Sequence, residues 1–148
     1  MVIRQGLRLM SSFGPDDWER PVIHHDWQRQ VMNQDFGWNR KQVYCHLTAI
    51  AQITLRMMTG ERMSAADISR INDELVYELQ VLPGEELMKR FRDAHQKVID
   101  LVQHAPEQQL VAPTKVGALE GEASIVMDSA LVLHALSHLY GAGGALSG

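Results

Sequence analysis

Residues 39–60 read NRKQVYCHLTAIAQITLRMMTG, and this stretch decides the fold class. Asn39 is a residue type that caps helix N-termini, and Gly60 is one that ends helices. Between them Val43, His46, Ile50, Ile53 and Met57 recur at three and four residues, with Leu47 and Thr54 beside them. That spacing lays one apolar stripe along a helix from Asn39 to Thr59. His46 lies inside the stripe, roughly 10 Å along the helix. Its neighbour Cys45 points roughly 100° away around the axis and reads as a small packed residue rather than a ligand.

The same periodicity recurs along the chain. Ser64 is placed to cap a helix whose apolar face is Ile68, Ile71, Leu75, Leu79 and Leu82, until Pro83-Gly84 interrupts it. Glu85 and Glu86 open a third long helix, with acidic groups in its first turn. Leu87, Phe91, Ala94, Val98 and Leu101 stripe it to about His104, and Ala105-Pro106 ends it. A last helix is expected from about Glu122 to Tyr140, with Ile125, Met127, Leu131, His134 and His138 facing inward.

The remaining segments are short. Residues 1–13 predict a short first helix with Val2, Ile3, Leu7, Met10 and Phe13 on one side, stopped by Gly14-Pro15. Residues 14–38 read as loop-rich, with one helical turn between Pro15 and Pro21 and one further short helix within Asp26–Asp35. Trp18, Trp27 and Trp38 in this segment are expected to close the side or mouth of the helices. Residues 106–120 read as a polar connection, extended or irregular near Val116–Gly121. No segment sustains a two-residue alternation, so no sheet is expected. The sum is an all-α protein, an antiparallel four-helix bundle with a short first helix. Residues 1–140 are read as a single domain and 141–148 as a flexible, glycine-rich tail.

Composition narrows the function. The chain has 148 residues, 45% of them hydrophobic and 22% charged, as in an ordinary globular domain. Its net charge of −4 argues against non-specific nucleic-acid binding and against a polybasic membrane surface. Cys45 is the single cysteine, which excludes an intramolecular disulfide and a multi-cysteine zinc site. That fits a reducing, cytoplasmic setting. The first ten residues lack a signal-peptide core, and no apolar run approaches the roughly 18 residues of a membrane span.

The histidines carry the chemistry. His134 and His138 stand four apart, on one helix face and one turn apart. The spacing alone is weak, and a pair of hydrogen-bonded core histidines would also show it. Three points favour a metal. Both histidines lie on the inward stripe, where an unpaired imidazole is costly to bury. His46 is a third inward histidine on another helix. An antiparallel pairing of the two helices sets the start of one beside the end of the other, which brings all three to one end of the bundle. Three imidazoles with an open position suit zinc, nickel, copper or iron. His24-His25 sit in the loop-rich segment near the expected mouth, and His95 and His104 have no matching partners. The acids form no catalytic pair, and no nucleophile elbow or phosphate loop is present.

Trp18-Glu19-Arg20-Pro21, then Gly37-Trp38-Asn39-Arg40-Lys41-Gln42-Val43 leading to His46-Leu47, resemble the opening of the DinB-like (DNA-damage-inducible) superfamily. Its mycothiol-dependent maleylpyruvate isomerase branch is the most similar. There a W-x-x-P segment and a G-W-T/S turn precede a helix carrying H-L. Ile71-Asn72-Asp73-Glu74-Leu75-Val76, Pro83-Gly84-Glu85-Glu86-Leu87 and the HxxxH close also match. The resemblance implies a four-helix bundle with zinc or nickel at one end, held at the positions of His46, His134 and His138. It further implies a cofactor thiol such as mycothiol, bacillithiol or glutathione, made nucleophilic by the metal toward an electrophile.

Three departures stand out. The first helix is short, the span from Pro21 to Gly37 is long and includes His24-His25, and no C-terminal domain is expected. The short first helix leaves core surface that a homodimer would cover. The sequence thus supports two readings: a metal- and thiol-dependent S-transferase or isomerase, and a non-catalytic DinB-like stress or interaction protein with a structural metal or none.

Overall fold

A computed structural model describes residues 2–22, 37–116 and 119–142. Trp27, His24, His25 and the short helix expected within 26–35 lie outside the described residues, as do residues 143–148 of the expected tail. The described residues are mostly helical, as the all-α reading expects. The longer helices are α1 (Val2–Ser11), α2 (Arg40–Met58), α3 (Ala65–Leu79) and α4 (Gly84–His104). After α4 come a short α5 (Glu107–Leu110), strands β1 (Pro113–Val116) and β2 (Leu119–Glu122), and α6 (Ala123–Met127). A π-helical segment, Asp128–Leu133, then leads directly into α7 (His134–Ala142).

Caps set the helix starts. The Asn39 side chain accepts the Gln42 N–H at 2.9 Å, and the Gln42 side chain accepts the Asn39 N–H at 3.1 Å. Ser64 and Asp67 repeat this reciprocal box at the head of α3. Pro15–Asp17 forms the expected single turn, as a 3-10 helix.

Helix α2 is more than striped. Every residue from Val43 to Ala49 is buried, because α3, α4 and α7 all pack against it. Gln42 bonds Gln80 and His46 bonds Asn72, so α3 runs back along α2. Val43, Tyr44 and Leu47 join Met10, Leu79, Leu87, Phe91, Ala135 and Leu139 in the main core. Further along α2, Ala51 packs with Ala94 and Val98, with Leu131 against them.

Three sequence expectations change. The α3 face is shifted: Asn72 and Val76 are buried with Ile71 and Leu79, Ile68 and Leu75 are only half-buried, and Leu82 lies past the helix end at Leu79. A small hairpin exists where no sheet was expected. Pro113 pairs with Glu122 and Thr114 with Gly121, in antiparallel register. Its two four-residue strands are too short to display an alternation. The hairpin takes over Leu119–Glu122, so the last helical stretch starts at Ala123 rather than Glu122. That stretch is also not one α-helix. The π segment, with its wider i→i+5 turns, breaks the 3.6-residue register. Ile125, which an unbroken register also sets roughly 180° from His134, faces solvent at 60% exposure, and the changed register turns Val126 inward at 3%. Helix α7 runs on to Ala142, two residues past its expected end at Tyr140. Among the described residues no helix is long and apolar enough to cross a membrane.

Candidate metal centre

The chain path just before α2 builds one wall of the site. Gly37 has a φ of +59°, a left-handed conformation that glycine adopts without the Cβ penalty. The turn it makes hands the chain to Trp38. The Val22 N–H donates to the Trp38 carbonyl at 2.9 Å, and the Arg40 N–H donates to the Arg20 carbonyl at 2.9 Å. These bonds lay residues 20–22 beside 38–40 and fix the Trp38 backbone. Its indole rests on the His46 ring at a centroid distance of 4.7 Å and lies 6.1 Å from the His138 ring. Trp38 thus closes the histidine end, as expected of the tryptophan-rich segment. Trp18 serves the core instead, edge-on to Phe13 and Tyr44.

The three expected histidines come together. His46 projects from the second turn of α2, and His134 and His138 from the first two turns of α7. The Nε2 atoms of His46 and His134 are 3.4 Å apart, and those of His134 and His138 are 3.0 Å apart. One nitrogen from each ring lies within 4.8 Å of the other two. His46 and His138 are buried, and His134 is half-buried. Three nitrogens at about 2.0–2.1 Å from one tetrahedral ion would stand roughly 3.3–3.4 Å apart. The two measured separations match or approach that spacing, so the donor set fits a divalent cation.

Protonation fits as well. The Nδ1 of His46 lies 2.7 Å from the Asn72 side-chain oxygen. An amide oxygen only accepts, so Nδ1 carries the proton and the lone pair stands on Nε2, toward the other rings. Burial, and then electrostatic repulsion from the adjacent His134, push the His46 imidazole down to about 3, against the opposing Asn72 hydrogen bond. His46 is therefore neutral at pH 7, the form that ligates metals.

Asn72 is the residue that sequence reading did not single out as part of the site. It is buried on α3, and its amide donates to the exposed Asp73 carboxylate at 3.2 Å. Outer groups of this kind orient ligating imidazoles. Its one sequence signal is a polar side chain inside an apolar stripe, between Ile71 and Val76. Replacing Asn72 with Leu is expected to weaken metal binding roughly 10–100-fold while the protein stays folded. Titration against a chromophoric chelator measures this, and unchanged affinity would refute the orienting role.

The other described histidines lie elsewhere. His95 is buried on α4 and donates from Nδ1 to the Phe91 carbonyl at 2.8 Å. His104 is exposed near the α4 C-terminus, bonded to the Asp100 carbonyl at 2.6 Å. Cys45 is fully buried as a packed residue, and burial pushes its thiol up to about 12, so it supplies no thiolate.

Burial of neutral imidazoles makes stability depend on pH. The folded values of His46 and His95 both lie below the ordinary histidine value of 6.5, with desolvation the leading cause in each. As pH falls below 6.5 the unfolded chain takes up protons that the folded chain refuses. The metal-free protein is thus expected to keep its full stability above 6.5 and to lose it progressively on acidification, His46 adding no further loss below about 3. Near pH 5 His46 removes on the order of 2 kcal/mol, and His95 adds to the loss in the same direction. Urea unfolding at neutral pH and near pH 5 checks this, and equal stability at the two would contradict it.

Two searches, one of curated proteins and one of solved structures, give no match to the chain. A family model, the mycothiol maleylpyruvate isomerase N-terminal domain, matches residues 2–140 and so spans every element from α1 to the HxxxH pair.

Proposed function

This chain belongs to the mycothiol maleylpyruvate isomerase N-terminal domain family, a DinB-like family, and on that premise we propose a thiol-dependent S-transferase or isomerase with a His46–His134–His138 metal site. The observation that carries the reading is the convergence of three imidazole nitrogens around one point, with His46 held neutral and aimed by Asn72. The family name supplies the thiol class. Mycothiol is the first candidate, with bacillithiol and glutathione sharing the chemistry.

Zinc or nickel is the ion proposed. When bound, such an ion supplies Lewis acidity that lowers the pKa of a coordinated thiol. The chain's own residues do the rest. Asn72 holds the His46 ring in one tautomer. Trp38 and the buried His138 keep water from one side of the nitrogens. His134, the least buried of the three, marks the side from which a thiol and a small electrophile approach. The same reading takes the helices as an antiparallel four-helix bundle forming a single domain over 1–140, and the protein as cytoplasmic and homodimeric. A monomeric mass by light scattering would remove the dimer from it.

Elemental analysis of the purified protein tests the metal, with one equivalent of zinc or nickel per chain expected. A screen of mycothiol, bacillithiol and glutathione against small electrophiles then tests the chemistry. Metal without thiol-dependent turnover would reduce the reading to a structural site in a non-catalytic protein. Absence of metal would end the triad model.

A further inference from the structure

A cavity of about 440 Å³ lies between α1, α4 and the π-helical segment. That volume is in the range of small-molecule sites. Its wall is mostly aliphatic, with Val2, Val98, Val102, Leu131 and Val132 contributing. It contains none of the three candidate metal ligands, so its binding chemistry is the same with or without a metal at the triad.

One polar group inside it is fixed and buried. His95 lines the cavity at 6% exposure, and its Nδ1–H is committed to the Phe91 carbonyl. Its ring is also braced by Phe91, at a centroid distance of 4.3 Å. With the proton on Nδ1, Nε2 is an acceptor. Among the described residues no group hydrogen-bonds that Nε2. Burial keeps the imidazole neutral. Asp128 and Gln103 also line the cavity but are exposed, and so stand at its mouth. Ser124, half-buried, adds a hydroxyl to the lining. The interior therefore offers mostly apolar surface, that hydroxyl and one buried, oriented acceptor in His95. An anion would meet Asp128 at the mouth and no cation within. A cation would shed its water among aliphatic side chains for one neutral nitrogen and one hydroxyl.

We propose that this cavity is a binding site for a small, uncharged, mostly apolar molecule that donates one hydroxyl or N–H hydrogen bond to His95 Nε2. One wall is the π-helical segment that leads into His134, and π turns inside helices are frequent at functional sites.

A methyl-detected NMR titration of the full chain with p-cresol, and with toluene as the isostere lacking the donor, tests the proposal. Saturable shifts are expected at the Val98, Leu131 and Val132 methyls, with toluene binding roughly two- to tenfold more weakly, the worth of one neutral hydrogen bond. His95→Leu should bring p-cresol to the toluene affinity. Ile99→Trp adds bulk at a lining position that is 39% exposed, and should abolish binding of both probes. No saturable shift in the wild type, shifts confined to residues around Trp38 and His134, or equal affinities for the two probes would overturn the site. Undiminished binding to a folded Ile99→Trp protein would overturn it too. If His95→Leu does not fold, the wild-type ratio of the two affinities decides.

Discussion

His138→Ala is expected to purify without bound metal, while His104→Ala retains it. His138 is the most deeply placed of the three imidazoles, at 1% exposure, and its Nε2 lies 3.0 Å from that of His134. Removing it leaves two nitrogens where three converged. The loss of affinity should exceed the roughly 10–100-fold associated with losing an outer-shell partner, and so exceed the effect of Asn72→Leu. His46→Ala should behave alike, because its Nε2 is aimed by Asn72 into the same space. His104 is exposed, bonded only to the backbone of its own helix, and controls for the loss of any imidazole. Elemental analysis and chelator competition read the result on protein whose circular dichroism matches the wild type. Equal metal content in His138→Ala and wild type would refute the site, and equal loss in His104→Ala would mean that surface histidines had carried the ion.

The triad is readable in the sequence and its support is not, because of how each residue is placed. His46 sits in a helix bounded by its own capping residues, Asn39 and Gly60, so its depth can be counted from the sequence. His138 is four residues from His134, and that geometry survives because both lie within α7, after the π segment has ended. The register upstream does not survive. Counting back from His134 at 3.6 residues per turn already sets Ile125 roughly 180° away and Val126 roughly 80° away, whereas the wider turns from Asp128 to Leu133 rotate α6 so that Val126 is buried. A period assumed constant cannot reveal a change of period. Asn72 is hidden for a different reason. A lone amide in an apolar stripe looks like an imperfection of the pattern until the partner across the interface is seen, and that partner is 26 residues away in sequence. The hairpin from Pro113 to Glu122 depends on pairing between two strands that are each too short to announce themselves.

Asn72 also explains how a helical core tolerates the three imidazoles. A buried imidazole is costly unless its N–H is satisfied, and the Asn72 oxygen satisfies it at 2.7 Å. The Asn72 amide in turn reaches the exposed Asp73 carboxylate, so the polar chain leaves the core in two steps. The site is therefore anchored to α3 as well as to α2 and α7. Changes that loosen α3 should reach the metal, whereas changes at the α1–α4 contact should not.

That contact supplies the largest expected stability effect. Phe91→Ala should destabilise the protein by about 3–5 kcal/mol. The Phe91 side chain is fully buried, edge-on to Tyr44 at 5.7 Å and against His95, with Gly6 of α1 pressed onto its ring. A fall in Tm on the order of 10 °C corresponds to that loss in a chain of this size. Metal content per folded molecule should not change, since the triad lies on α2 and α7. Gly6 makes the test sharper. A Cβ added there would lie 2.6 Å from the tip of the Phe91 ring, too close for either side to keep its place. Gly6→Ala alone should therefore destabilise by about 1–3 kcal/mol despite the higher helix propensity of alanine. With Phe91 already cut to Ala the clash is gone and only the propensity remains. Gly6→Ala in that background should be neutral, or stabilising by up to about 1 kcal/mol. The sign of the Gly6→Ala effect is thus expected to depend on residue 91. Urea unfolding of the four proteins closes the cycle. Additive effects would show that α1 does not sit on Phe91 as described.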